Sequence, residues 1–93
     1  MQLITGTAAY QQSNSAALPY AVTVGTSPFV YQNTNKYPID VIIRGGTVTT
    51  IEFSRDNVTY YNIGLLSGSF GLSPNDRIRI TYTLQPTVTG VPR

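Results

Sequence analysis

The sequence of 93 residues contains neither cysteine nor histidine. The absence of cysteine excludes disulfides, so the redox compartment cannot be inferred from thiols. The absence of histidine removes the commonest general base, the commonest zinc ligand and the side chain that titrates near neutral pH. The chain must therefore be stabilised, and must act, without these groups.

Charge is scarce as well. Charged residues make up 11% of the chain, against about 25% in an average domain. The basic residues are scattered and form no run of the kind that follows a phosphate backbone, so no nucleic-acid partner is expected. A surface of hydroxyl, amide and glycine groups suits a protein that packs against another protein.

Long apolar runs are missing too. Residues 1–6 show no basic segment leading into an apolar one, which predicts a product made in the cytoplasm without a secretory leader. No stretch approaches the roughly 18 apolar residues that a membrane span needs, so no membrane partner is expected. A chain of this length forms one domain with a thin core, and partner subunits are the expected support.

What is present is a steady β pattern with turn signals every few residues. The predicted strands are 20–24, 28–33, 39–44, 47–54, 58–65, 69–72 and 77–84. No segment has a helical period. The pattern predicts an all-β protein, an antiparallel β-sandwich or small jelly roll of about seven strands with extended N- and C-terminal arms.

Three parts are predicted along the chain. Residues 1–18, rich in Ala, Ser, Gln, Thr and Asn, form an extended N-terminal arm that would order against a partner. Residues 19–85 form the β-sandwich body. Residues 86–93 form a C-terminal tail, because Pro86, Gly90 and Pro92 interrupt the strand pattern.

The strand phases predict the core. Gly45-Gly46 favours a hairpin that joins strands 39–44 and 47–54. In the second of these strands, Thr49, Ile51 and Phe53 share a face. The side chains predicted to be buried between two sheets are Ile51, Phe53, Ile78, Ile80 and Tyr82.

The acidic residues offer little chemistry. Asp40 and Glu52 would approach each other across the predicted hairpin as a carboxylate pair, but a solvated face explains them better. Asp56 and Asp76 lie in turns, where aspartate forms the turn more often than it binds calcium. Serine and threonine lack a base. We therefore expect no enzyme activity, cofactor, metal or small-molecule substrate.

Tyrosine is the residue type that points to binding. Adjacent strand residues face opposite ways, so either Tyr60 or Tyr61 must leave the core. Such a tyrosine can be a half-buried sheet residue, part of a protein interface, or a platform for a sugar or base. The candidate partner-binding residues are Tyr10, Gln11 and Gln12 on the arm, with Tyr60 and Tyr61 on the body.

Two stretches, PFVYQNTNKYPIDVIIRGGTVTTIEFSRDNVTYYNIG and LSPNDRIRITYT, resemble small structural proteins of tailed bacteriophages. The resemblance covers about residues 28–83 and consists of strand and turn patterns. Asn57 stands where these proteins usually have a glycine after the turn aspartate. Such domains occur in head decoration (cement) proteins and in fibre or tail attachment proteins.

The resemblance implies a virion protein on the capsid surface, made in the host cytoplasm, that binds the major capsid protein across coat subunits, commonly as a homotrimer. The alternative is a tail, fibre or baseplate module that binds host-surface glycans. A third reading is an unrelated small β adaptor or carbohydrate-binding module. Copy number separates the first two, since decoration needs many more copies per particle than a tail module.

Overall fold

The computed structural model of the chain describes residues 17–93. Within this range the chain forms eight strands. They are β1 (Tyr20–Val22), β2 (Phe29–Gln32), β3 (Ile39–Arg44), β4 (Thr47–Ser54), β5 (Tyr61–Asn62), β6 (Gly68–Leu72), β7 (Arg77–Leu84) and β8 (Thr87–Pro92). The described part of the chain contains no helix.

The strands form two four-stranded antiparallel sheets. The first sheet has the order β1-β8-β3-β6, and the second has the order β2-β7-β4-β5. Each of the first four strands pairs with one of the last four, in reverse order: β1 with β8, β2 with β7, β3 with β6 and β4 with β5. The structure confirms the prediction of an all-β antiparallel sandwich.

The C-terminal residues are part of the sandwich. They were expected to form a tail from residue 86 onward, but β8 lies between β1 and β3 and pairs with both. Pro92 is tolerated because it is the last residue of the strand. Gly90 is required because an added Cβ would lie 2.5 Å from Cζ of Tyr20. Gly90 and Pro92, which suggested a tail, are therefore strand residues, and contacts with distant parts of the chain explain the glycine.

The predicted Gly45-Gly46 hairpin is wrong. β3 belongs to the first sheet and β4 to the second, so the two glycines carry the chain across the sandwich. Both adopt positive φ values of 73° and 64°, which glycine reaches without steric cost. A local turn signal marks where the chain reverses, but it does not say which strand becomes the neighbour.

The core lies between the inward faces of the two sheets. Its buried members are Ile39, Val41, Ile43, Val48, Ile51, Leu72, Ile78, Ile80 and Val88. Of the predicted core residues, Ile51, Ile78 and Ile80 are buried, while Phe53 and Tyr82 are half-buried and pack against the cluster. The assigned inward phase of β7 is confirmed over Ile78 and Ile80.

A β-bulge changes the predicted phase of β4. The register against β7 shifts between Thr47 and Thr50, so Val48 and Ile51 both reach the core. Thr49, which was predicted to share the inward face with Ile51, is exposed instead. The extra residue of a bulge reverses the side-chain alternation on one side of it.

A buried asparagine joins two loops at one end of the sandwich. Asn33 is fully buried, and its Nδ2 donates to the carbonyls of Tyr37 at 3.0 Å and Leu72 at 3.1 Å. Its backbone N–H donates to the carbonyl of Asp76, and its carbonyl accepts from the N–H of Asn75. This residue ties the β2–β3 loop to the β6–β7 turn.

Candidate interaction surface

The turn after β4 is built around one carboxylate. Asp56 Oδ1 accepts hydrogen bonds from the backbone N–H groups of Val58 and Thr59, both at 2.9 Å, and from Ser54 Oγ at 3.2 Å. Asn57 takes the left-handed conformation at φ 64°. The Thr59 and Val58 donors hold the pKa of the Asp56 carboxyl below its usual range. The turn therefore has a defined shape although it is exposed.

A second contact fixes this turn to the sandwich. Arg55 Nε donates to Asp76 Oδ1 at 2.9 Å, and its Nη2 donates to Oδ2 at 3.2 Å. The carboxylate of Asp76 is 2% exposed and also accepts from the N–H of Ser73. The two-point geometry of arginine with carboxylate orients the guanidinium. The β4–β5 turn and the β6–β7 turn are thus joined.

Tyr60 is held against the outer face of the second sheet. The guanidinium carbon of Arg79 lies 3.8 Å from the centre of the Tyr60 ring, and Arg79 Nε donates to Glu52 Oε1 at 2.9 Å. The Tyr60 hydroxyl donates to Asn57 Oδ1. Tyr60 is half-buried by these contacts, so its ring face is already occupied by a cation.

Tyr61 is the tyrosine that faces solvent, with 63% of its surface exposed. It lies on β5, an edge strand of two residues, and it pairs with Phe53. Val58, three residues earlier, is 81% exposed, and Leu65, four residues later, is 55% exposed. We call Val58, Tyr61 and Leu65 the 58–65 surface. Three exposed apolar side chains thus fall within eight residues of the sequence, and where such side chains form a continuous patch they mark contact sites on proteins.

The strand predicted over residues 58–65 is much shorter than expected. Only Tyr61 and Asn62 form β5, although the N–H of Ile63 donates to the carbonyl of Ile51 at 2.9 Å. In a continuous strand over residues 58–65, Tyr61, Ile63 and Leu65 would share one face, yet only Ile63 packs against the core. Gly64 at φ 86° ends the alternation. In the sequence, Gly64 and Gly68 lie on either side of residues 65–67 and indicate that the chain leaves the sheet there.

The other sequence candidates have separate places. Tyr10, Gln11 and Gln12 lie outside the described residues, as does nearly all of the predicted arm. Asp40 and Glu52 belong to different sheets, so they form no pair; Asp40 bonds to Arg93 instead. Among residues 17–93 no group of acidic side chains is arranged to hold a metal ion.

Residues 17–93 enclose no pocket. The same residues include no helix with the length and apolar character to cross a membrane. Comparisons of the chain with models of protein families, with curated proteins and with solved structures give no match. The features of the chain that bear on its function are therefore the strand order, the 58–65 surface and the sequence resemblance.

Proposed function

We propose that this chain is a structural protein of a bacteriophage virion, and that it decorates and stabilises the capsid by binding across coat subunits. The observation that carries the proposal is the 58–65 surface, whose exposed side chains Val58, Tyr61 and Leu65 begin in the turn built around Asp56 and continue through β5. In this proposal the protein acts on the capsid surface, its partner is the major capsid protein, and it assembles as a homo-oligomer, which the resemblance implies is a trimer.

The strand order supports the proposal. In a jelly roll, a long antiparallel ribbon pairs its first strand with its last and wraps into two sheets. The pairs β1·β8, β2·β7, β3·β6 and β4·β5 follow that order. We therefore propose a jelly-roll topology for the sandwich. This architecture serves in viral capsid proteins, and it also occurs in lectins.

The 58–65 surface supports protein binding by its chemistry. Tyrosine supplies a large contact area at a low entropy cost and is enriched among the residues that dominate binding energy. The turn that carries Val58 is already fixed by Asp56 and by the Arg55–Asp76 ion pair, and Tyr61 is paired with Phe53 of β4. Binding therefore orders little additional backbone, which lowers the entropic cost of association.

The proposal is tested by adding recombinant protein to purified particles from a phage whose gene for this chain is deleted. Bound protein is counted after sedimentation of the particles. We expect saturable binding, weakened about 10- to 100-fold by Tyr61→Ala, as for a central interface tyrosine. Leu84→Ala is the matched control, since Leu84 is equally exposed at 63% but lies at the end of β7. Particles that bind no protein, or that bind both variants equally, contradict the proposal.

The alternative, a tail or fibre module that binds host glycans, predicts a different result. Such a protein is present in few copies per virion, and it binds sugars on a glycan array. The lectin use of jelly rolls is the observation that favours it. This alternative would be favoured if the protein bound a glycan, if Tyr61→Ala abolished that binding, and if particles from the deletion phage bound no protein.

A further inference from the structure

Within residues 17–93, the edge strands of both sheets lack the residues that usually prevent pairing with a further strand. Edges usually carry charged residues or proline, because an open edge pairs with any free strand. Here none of the four edge strands, β1, β2, β5 and β6, contains a charged residue or a proline. The charged strand residues lie on β3, β4 and β7, which are central strands of their sheets.

The longest of these edges is β6, with five residues of the sequence GSFGL. On one side it pairs with β3, and within residues 17–93 no strand pairs with its other side. Its outward side chains are small, at Ser69 and Gly71, so another backbone can approach closely. Such an edge accepts an additional strand through main-chain hydrogen bonds.

The opposite edge of the same sheet has the direction needed to pair with β6. The four strands of the first sheet are antiparallel to their neighbours, so β1 and β6 run in opposite directions. A second copy, rotated about an axis parallel to the strands, therefore presents its β1 antiparallel to β6. We propose that copies of this chain associate head to tail by this β6-to-β1 pairing.

For this contact we take the register that continues a row of residues across the first sheet. Across the sheet from β1 to β6, the residues that lie directly opposite their neighbours in this row are Ala21, Thr89, Ile42 and Ser69. Continuing this row places Ser69 opposite Ala21 of the next copy. Both side chains are exposed in the single chain.

The same register covers two exposed leucines. Leu66, which is 53% exposed and lies two residues before β6, comes opposite Val24 of the neighbouring copy. Leu18, which is 83% exposed and lies two residues before β1, comes opposite Leu72. Leu72 belongs to the core and Val24 packs against it, so each exposed leucine meets a core-facing residue of the neighbouring copy. The pairing therefore extends the apolar core across the contact.

The size of the contact determines the form of the assembly. A pairing of three to five residues buries far less than the roughly 1,200 Å² of a stable two-protein interface. One contact is thus weak, and a dimer leaves an open β6 and an open β1 at its ends. A head-to-tail contact that closes into a ring uses both edges of every copy. The expected species are monomer and closed ring, with little dimer.

The test is the mass of the isolated protein by sedimentation and light scattering across a concentration series. Wild type should give a ring of three or more 10.1 kDa chains. Ser69→Lys and Ala21→Glu should each reduce the mass to that of the monomer, because a lone charge is placed at a neutral edge. The double variant should restore the ring, since every contact then pairs a lysine with a glutamate. Thr83→Lys, with the same charge on a central strand, is the matched control.

Each other outcome overturns the proposal. A wild-type monomer at all concentrations, or a simple dimer, excludes the head-to-tail ring. A contact between two β6 strands would leave the double variant dissociated, because lysine would face lysine. Circular dichroism checks that each variant is folded. This inference does not depend on the virion role: Tyr61→Ala should alter particle binding but leave the mass unchanged.

Discussion

Substitution of Gly90 by alanine tests whether the C-terminal residues form a central strand. An added Cβ at this position would lie 2.5 Å from Cζ, and 2.7 Å from Cε2 and Oη, of Tyr20. Contacts this short force the ring to move. The ring is held by a 2.8 Å hydrogen bond between its hydroxyl and that of Tyr31, which joins β1 in the first sheet to β2 in the second.

The cost of Gly90→Ala follows from these contacts. Overpacking in a filled site costs about 1–3 kcal/mol, and loss of the tyrosine hydrogen bond adds about 1 kcal/mol. The expected destabilisation is therefore about 2–4 kcal/mol, a fall in Tm of roughly 10–25 °C for a domain of this size. Urea and thermal unfolding followed by circular dichroism measure it.

Gly71→Ala is the matched control, because it places the same methyl group on β6 of the same sheet. Its Cβ meets Asp40 Oδ1 at 3.6 Å, an ordinary contact. We expect a change within about 0.5 kcal/mol. In a Tyr20→Ala background the cost of Gly90→Ala should largely disappear, since the ring that it strikes is gone. If Gly90→Ala unfolds like wild type, residues 87–92 are a tail and the placement of β8 is refuted.

Three further predictions concern the fold. Asn33→Ala leaves the carbonyls of Tyr37 and Leu72 without their donor, and urea unfolding should show a loss of about 2–4 kcal/mol; an unchanged midpoint would contradict the buried role of Asn33. Phe53→Ala should cost about 2–3 kcal/mol in the same assay, less than the about 3–5 kcal/mol of a fully buried ring, and a loss below 1 kcal/mol would remove Phe53 from the core. Asp56, whose pKa is lowered by the Thr59 and Val58 N–H groups, contributes stability above the unfolded pKa of about 3.9 and loses it as the pH falls through the lower folded value. Asp56→Asn should flatten that part of the Tm-against-pH curve, and an identical curve would show that the turn carboxylate is not coupled to folding.

The inward phase of the strands could be predicted from sequence because it is a local property. Ile78 and Ile80 alternate with Arg77 and Arg79, and the structure buries both isoleucines. The bulge in β4 could not be predicted in this way. It moves Val48 inward and Thr49 outward without any special residue type at the site.

Strand partners could not be predicted because they depend on contacts between distant parts of the chain. Gly45-Gly46 has the same local signature whether the next strand returns to the same sheet or crosses to the other. Gly90 appeared to interrupt a strand, yet it is a strand residue whose missing side chain makes room for Tyr20, far away in sequence. Only the folded arrangement supplies that reason.

The candidate surface was predicted in part. Alternation required one of the adjacent tyrosines to leave the core, but in the structure neither lies there, since Tyr60 packs on Arg79 and Tyr61 is exposed. The sequence did not indicate that Tyr60 would lie against Arg79, nor that Val58 and Leu65 would be exposed beside Tyr61. The apolar character of Val58 and Leu65 favoured burial, whereas the short β5 and Gly64 carry them out of the sheet.

The proposed virion role is tested most directly by a reconstruction of whole virions from the phage that this proposal takes as the source of the chain. We expect density for the β-sandwich over the outer capsid surface, bridging coat subunits, with on the order of hundreds of copies per particle when quantified against the major capsid protein. The side of the domain that carries Val58, Tyr61 and Leu65 should face the coat. Density confined to the tail, or particles that lack the chain altogether, would contradict the account.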